Sequence, residues 1–407
     1  MIGSDILKII HTSDWHLGKL LEGNSRLEEQ EQFIDEFVQK VEEKDADLII
    51  IAGDIYDSGN PSAKAECLFY NGVKRISNNG RRAILIIAGN HDSPERLEAV
   101  IPLAREQGII ILGTPKSVIE TGKFGSFNVV DSGEGYIELC INNESAVILT
   151  IPYPSEKRLG EILSQESDEE QVQKSYSARI GEIFNELSKK YRKDTINLAV
   201  SHLYVAGGET SDSERAIQLG GSYAVQLNDL PKKAQYIALG HLHKNQVFNI
   251  DDVPVVYCGS PIKYSKKEKN NKNCIYFIDL KPGEKAAPER IYLTDYKPIE
   301  VWKCKSIDEA IDRCRNDGKR NIWVYIEIDC DRIISQQEIK EMKDYRPDII
   351  EIKPNLKGAE NENEIYENLT EKSMEEVFRK FYLWRNETEP TQELVELFLS
   401  IVDEKEM

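Results

Sequence analysis

Short apolar runs recur through the first two thirds of the chain, and each leads straight into a polar motif. The runs are Ile6–Ile10, Leu48–Ala52, Ile84–Ala88, Ile196–Val200 and Tyr236–Leu239. Their length and their Ile, Leu, Val and Ala content predict strands buried on both faces. Helical spacing lies between several of them. Phe33, Ile34, Phe37, Val38 and Val41 form one stripe, as expected of a helix that packs one face on a sheet. A second helix is expected to carry Pro61 in its first turn. The charged stretch 156–193 predicts a helical insertion between a strand near Val147–Ile151 and the run Ile196–Val200. Strands alternating with helices predict an α/β fold.

The polar motifs carry the candidate chemistry. They are His11-Thr-Ser-Asp14-Trp15-His16-Leu17-Gly18, Gly53-Asp54-Ile55-Tyr56-Asp57, Gly89-Asn90-His91-Asp92, Ser201-His202 and Gly240-His241-Leu242-His243. All 6 histidines of the chain fall within them. Open α/β sheets place their sites outside the carboxyl ends of the strands, which is where these side chains lie. Gly53, Gly89 and Gly240 each precede a candidate ligand. A residue without a Cβ lets the chain turn sharply there. Asp, His and Asn donors with no thiolate suit hard or borderline divalent ions such as Mn²⁺. Their number is enough for two ions sharing one carboxylate.

Taken singly, each motif also has an ordinary use. An Asp after a strand caps a turn or a helix, Gly-Asn-His-Asp makes a turn, and Ser201-His202 fits a core histidine. The five motifs in one chain, all at strand ends, favour the shared site. His11 is the exception. It precedes the turn and reads as a structural residue behind the ligands.

Downstream, residues 296–356 predict a small α+β unit. Ile299–Trp302, Trp323–Ile328 and Ile349–Ile352 read as strands, and Ile307–Cys314 and 335–344 as helices. Residues 357–370 have the polar composition of a linker. Ser373 and Glu376 are spaced as a capping box. Met374, Val377, Phe378 and Phe381 form one apolar stripe, with Trp384 near it. Leu394, Leu397, Phe398 and Ile401 form another. Two such short helices either fold back on the chain or dock on a partner, and docking is the favoured expectation.

Charge narrows the choice of partners. The net charge of −19 suits a free-standing nucleic-acid binder poorly. Part of it is local, since residues 357–407 hold 14 acidic and 6 basic residues. A basic stretch at Lys263, Lys266, Lys267, Lys269 and Lys272, interrupted by Glu268, is either a solvated loop or a contact for backbone phosphates. The polar segment Gly207–Arg215 is expected to overhang the site. Cys67, Cys140, Cys258, Cys274, Cys304, Cys314 and Cys330 read as reduced residues of a cytoplasmic protein. No signal-peptide pattern and no membrane-spanning run are visible.

At these motifs the chain resembles the calcineurin-type metallophosphoesterases. Ser-Asp-Trp-His-Leu-Gly, the segment Gly207–Arg215 and Tyr257-Cys-Gly-Ser-Pro are similar to those of the SbcD branch, the nuclease subunits of SbcCD-type double-strand-break repair complexes. The protein phosphatases of the superfamily carry Arg where this chain has Ser58. The resemblance implies a β-sandwich flanked by helices, a small α+β capping domain and a helical tail. The implied boundaries are a nuclease domain at 1–280, a capping domain at 281–356, a linker at 357–370 and a partner-binding segment at 371–407. It implies one ion on Asp14, His16, Asp54 and His243, and another on Asp54, Asn90, His202 and His241, with Mn²⁺ expected. It implies that His91 stabilises or protonates the reacting phosphate and that Asp57 orients His91. Lys263, Lys266 and Lys267 are the candidates for DNA-backbone contact.

The activities implied are ATP-dependent 3′→5′ exonuclease action on duplex ends and endonuclease action on hairpins and single strands. This chain has no Gly-x-x-x-x-Gly-Lys-Ser/Thr motif, so the ATP would be used by an SbcC-like ATPase partner. A homodimer through helices at about 61–77 and 95–107, within a heterotetramer, is also implied. Two rivals remain: a stand-alone phosphodiesterase for a small substrate, and a scaffold that lacks activity.

Overall fold

The computed structural model describes residues 6–161, 169–211, 213–214, 224–317 and 320–356, with scattered positions between 378 and 398. They divide into two compact units. One runs to Glu300 and includes the stretch that ends at Tyr325; the other takes up the chain from Val301 and again from Ile326.

Two large sheets form the body of the first unit. The six-stranded sheet has the order Glu289–Tyr292, Cys274–Leu280, Leu7–Thr12, Leu48–Ala52, Ala83–Ile87, Ile109–Leu112. Its last four strands are parallel. The eight-stranded sheet has the order Gln246–Ile250, Val253–Tyr257, Tyr236–Gly240, Ile196–His202, Glu144–Ile151, Tyr136–Ile141, Phe127–Gly133, Gly122–Phe124. Glu144–Ile151, Ile196–His202, Tyr236–Gly240 and Val253–Tyr257 run parallel within it.

Side-chain alternation explains why the apolar runs are unbroken. Leu48, Ile50 and Ala52 share a core with Ile148, Leu198 and Val200 of the other sheet. Ile49 and Ile51 point the opposite way, onto Phe33 and Phe37 of the helix Leu27–Glu43. Both faces of the strand are therefore covered, so no polar position is needed. The second sheet buries its far face on Tyr176, Ile180 and Phe184 of the helix Glu169–Leu187.

Two details depart from the sequence reading. The second helix spans Ala63–Ser77 with Ser62 as its N-cap, the Ser62 hydroxyl accepting from the Ala65 amide at 3.3 Å. Pro61 therefore precedes the cap and lies outside the first turn. The segment expected as a helix near 95–107 is broken into Pro94–Glu98, Ile101–Ala104 and a 3₁₀ turn at Arg105–Gln107.

Later in the chain a three-stranded sheet has the order Ile299–Cys304, Trp323–Cys330, Ile349–Leu356, with helices Ile307–Asp317 and Gln336–Tyr345 between its strands. A capping box at Ser335 and Glu338 starts the second of these helices. Arg346 is buried over the Trp302 ring, 5.3 Å from its centroid. In the tail, the Phe378 and Phe398 rings stack with centroids 4.2 Å apart. The linker, the Ser373–Glu376 box, Met374, Val377, Phe381, Trp384 and Ile401 lie outside the described residues. Among the described residues no helix is long and apolar enough to cross a membrane.

Candidate metal centre

The site forms where the parallel strands of both sheets end. The loop after Leu7–Thr12 is laced to the loop after Leu48–Ala52: the Asp14 amide donates to the Gly53 carbonyl at 3.0 Å, and the His16 amide to the Asp54 carbonyl at 2.9 Å. Trp15 anchors this loop. It is fully buried, edge-on to Phe33, Phe37 and Phe69, and its indole N–H donates to the Thr12 hydroxyl at 3.0 Å. With Trp15 pinned in the helix layer, its neighbours turn the other way. Asp14 and His16 have φ of 54° and 42°, and Asp54 and His241 have 51° and 108°. Strain of this kind persists only where the surroundings over-determine it, and it concentrates at functional sites.

Two glycines make the close approach possible. A Cβ on Gly89 would overlap the Asp54 carboxylate, and one on Gly53 would overlap the His202 ring. Gly53 also has φ of 89°.

Asp54 is the centre of the cluster. Its Oδ1 accepts from the His91 amide at 2.9 Å. Its Oδ2 lies 3.4 Å from both His16 Nε2 and His202 Nε2, and 4.0 Å from His91 Nε2. Asn90 Oδ1 is 3.0 Å from His202 Nε2 and 3.0 Å from His241 Nδ1. His16 Nε2 and His243 Nε2 face each other at 2.9 Å. Asp14, His16 and His243 offer atoms within 4.8 Å of one another, as do Asp54, His202 and His241.

Hydrogen bonds fix which ring nitrogens face inward. The Ala52 carbonyl accepts from His202 Nδ1 at 2.8 Å, which leaves Nε2 as the nitrogen facing Asp54 and Asn90. The Asp57 carbonyl accepts from His91 Nδ1 at 2.7 Å. His243 Nδ1 lies 2.5 Å from the Ser213 hydroxyl, which donates to Glu268.

The buried carboxylates and imidazoles shift one another strongly. Burial pushes the Asp14 carboxyl up to about 6. Burial holds His241 down to about 3 and His16 well below its ordinary range. Burial also opposes the charge on Asp54, but His202 and His16 outweigh it and hold that carboxyl low. Two carboxylates and four neighbouring imidazoles, packed this tightly away from water, form a set that divalent cations would stabilise. All donors are oxygen or nitrogen, which fits a hard or borderline ion. The residues therefore fit a pair of divalent metals.

Comparison with known proteins agrees with this geometry. Residues 7–245 match the model for calcineurin-like phosphoesterases. Residues 295–384 match the type 5 capsule protein repressor C-terminal domain. The chain is 37% identical over 397 residues to the SbcD component of the SbcCD nuclease of Bacillus subtilis (strain 168), covering 97% of each. The chain belongs to the SbcD family. It is also 29% identical over 317 residues to the SbcD component of Staphylococcus epidermidis (strain ATCC 12228), covering 78% of each. A dimetal phosphatase from Danio rerio is similar at 11% identity, with a TM-score of 0.38, over 69% of this chain and 98% of that one.

The SbcD-family motifs thus converge on one dimetal phosphoesterase site. Asp14, His16, Asp54, Asn90, His202, His241 and His243 all reach it. His11 does not: it lies inside the strand Leu7–Thr12, with Nδ1 2.8 Å from the Tyr236 hydroxyl. Two side chains stand differently from expectation. The Asp57 carboxylate is 3.8 Å from His91 Nδ1 and pairs with Lys19 at 2.9 Å, so the main chain of Asp57 holds His91. Lys263 is buried and its ammonium pairs with Asp295, which removes it from any DNA-facing surface. Lys267 is exposed, and Lys266 sits over the Tyr325 ring at 5.1 Å.

Other supporting residues are not evident from the sequence. Asp92 accepts from the amides of Ile55, Tyr56 and Gly89 at 3.1, 3.0 and 2.9 Å. It ties two ligand loops together, and its place in Gly-Asn-His-Asp is the available signal. Arg158 donates to the carbonyls of Gly89 and Asp92 at 2.8 and 2.7 Å. Glu268 is buried although it sits among lysines. Nothing in that composition distinguishes it.

Proposed function

We propose that this chain is the nuclease component of an SbcCD-type complex, a two-metal phosphodiesterase acting on DNA. The observation that carries the reading is the single Asp54 oxygen lying 3.4 Å from His16 Nε2 and 3.4 Å from His202 Nε2. That is the arrangement a bridging carboxylate requires. In this reading Asp14, His16, Asp54 and His243 hold one ion, and Asp54, Asn90, His202 and His241 the other. Mn²⁺ is the expected metal.

When bound, such a pair supplies positive charge to the attacking and departing oxygens of an in-line displacement at phosphorus. The protein's own side chains do the rest. His91, its Nδ1 held by the Asp57 carbonyl, presents Nε2 to stabilise the phosphoryl oxygens or to protonate the leaving 3′ oxygen. Asp57 and Lys19 pair beside it and support its loop. Lys266 and Lys267 contact backbone phosphates, which position a duplex without reading its sequence.

The chain is similar over nearly its whole length to an SbcD component of an SbcCD nuclease, and that supports an SbcC-type ATPase partner. The partner docks on residues 371–407 and uses ATP to admit duplex DNA. The net charge of −19 makes the lone chain a weak DNA binder, so the partner supplies most of the affinity. The activities are 3′→5′ exonuclease action on duplex ends and endonuclease action on hairpins and single strands. The domains are nuclease at 1–280, capping at 281–356, linker at 357–370 and the ATPase-binding segment at 371–407. Phe69, Val73, Val100, Leu103 and Ala104 line an apolar groove. Leu103 there is 80% exposed, which supports a homodimer on this face.

The test is cleavage of a DNA hairpin in Mn²⁺, with and without the ATPase partner and ATP, using Asp54→Ala as control. Cleavage that is lost in the variant and raised by partner plus ATP is expected. Hydrolysis of a small phosphodiester with DNA untouched throughout would move the protein to the small-substrate class.

A further inference from the structure

We infer that Ser213 and Glu268 are positioning residues that set the metal-ready form of His243, so that the loop over the site is part of the metal centre. This rests on the reading of His243 as a ligand. The polar segment after Gly207 and the lysine-rich turn near Lys266 are far apart in the chain, yet they meet at one ring.

Glu268 is 1% exposed. Its Oε2 accepts from the Tyr264 amide at 2.7 Å, and its Oε1 accepts from the Ser211 hydroxyl at 2.9 Å and from the Ser213 hydroxyl. The same Oε1 is 3.5 Å from His243 Nδ1. A carboxylate has no proton to give, so the single Ser213 proton points to Glu268. The Ser213 oxygen is then left as an acceptor, and only a protonated Nδ1 can use it at 2.5 Å. In the neutral ring that assignment makes Nε2 the lone-pair nitrogen of His243, and Nε2 faces His16 Nε2 at 2.9 Å. Partners behind a ligating histidine fix its tautomer and orientation in this way.

The neighbouring residue Glu214 holds the same loop to the same ligand. Its Oε1 accepts from the His243 amide at 2.7 Å, and its Oε2 from the Ser211 amide at 2.6 Å. Glu268 breaks the lysine run because a buried acceptor is needed there.

The experiment is direct Mn²⁺ binding by calorimetry to the full-length protein and to Ser213→Ala, Glu268→Gln, the double variant and His243→Ala, with no substrate present. Outer partners of this kind are worth ~10–100-fold in metal affinity. Each single variant is expected to weaken one of two sites by that order and leave the other unchanged. The double variant is expected to match the weaker single, because both changes break one chain of contacts. Ser213→Ala alters only a loop hydroxyl, so it tests the proposal even if the buried Glu268→Gln change disturbs folding. If His243→Ala loses a site while both Ser213→Ala and Glu268→Gln bind like the wild type, the positioning role is overturned. If His243→Ala itself retains both sites at full affinity, the ligand reading of His243 fails instead.

Discussion

The carbonyl oxygen of Asp57 accepts a hydrogen bond from Nδ1 of His91 at 2.7 Å. The contact is made by main chain, so it survives changes to the Asp57 side chain. His91→Ala should keep both metals and lose ~10²–10⁴-fold in turnover, the usual scale of positioned acid–base help. Asp57→Asn should stay within about tenfold of the wild type, since a partly exposed pair such as Lys19–Asp57 is worth at most ~1 kcal/mol. Single-turnover rates with metal content measured on the same samples check both. Metal loss in His91→Ala would remove it from the acid–base role.

Gly89 tests the packing behind the ligands. A methyl there overlaps the Asp54 carboxylate, so Gly89→Ala should displace Asp54 and weaken both metal sites together. Overpacking of this kind typically costs ~1–3 kcal/mol of stability. Urea unfolding and Mn²⁺ titration of the variant give the two readouts, and unchanged metal binding would contradict the placement.

Histidine 11 gives a pH prediction that does not involve the metals. Burial lowers it from its ordinary 6.5 to about 3. Between those values the unfolded chain binds a proton that the native state does not. Stability therefore falls as pH drops below 6.5 and continues to fall toward 3, by up to ~1.4 kcal/mol per pH unit. His11→Gln should remove this component. The loss of stability between pH 7 and pH 5 should be smaller than the wild type's by ~2 kcal/mol, measured by urea unfolding. Equal losses would mean that His11 is charged in the fold.

Arg26 and Glu29 form a buried pair at 2.6 Å, and the Trp323 indole N–H donates to Glu29 at 2.9 Å. Arg26 also donates to the Lys263 carbonyl, at the start of the turn that carries Glu268. Glu29→Ala leaves a buried guanidinium unpaired, which costs about 3–5 kcal/mol. Thermal and urea unfolding check it. A loss below about 1 kcal/mol would show that water reaches Arg26.

The strands and the ligand motifs are legible in the sequence because their signals are local. An apolar run covered on both faces needs no partner to be recognised, and a glycine before a ligand marks a turn in the sequence itself. What the sequence hides depends on contacts across long separations. Glu268 sits among lysines and gives no local sign that Ser213 and His243 lie beside it. Lys263 has the sequence context of a solvent-facing cation, and only the fold brings Asp295 against it. Asp57 shows a subtler limit: the motif marks the residue, but only coordinates tell whether its carboxylate or its carbonyl does the holding. Pro61 lies ahead of the helix it was expected to enter because Ser62 is the better cap.

The most direct test of the bridged two-metal centre is the Mn²⁺ stoichiometry of Asp54→Ala against Asp14→Ala, by equilibrium binding on the full chain. In the proposed assignment Asp54 is shared and Asp14 is not. The account predicts that Asp14→Ala weakens one site and keeps the other, while Asp54→Ala weakens both. Retention of one wild-type site in Asp54→Ala would contradict the bridge and with it the centre described here.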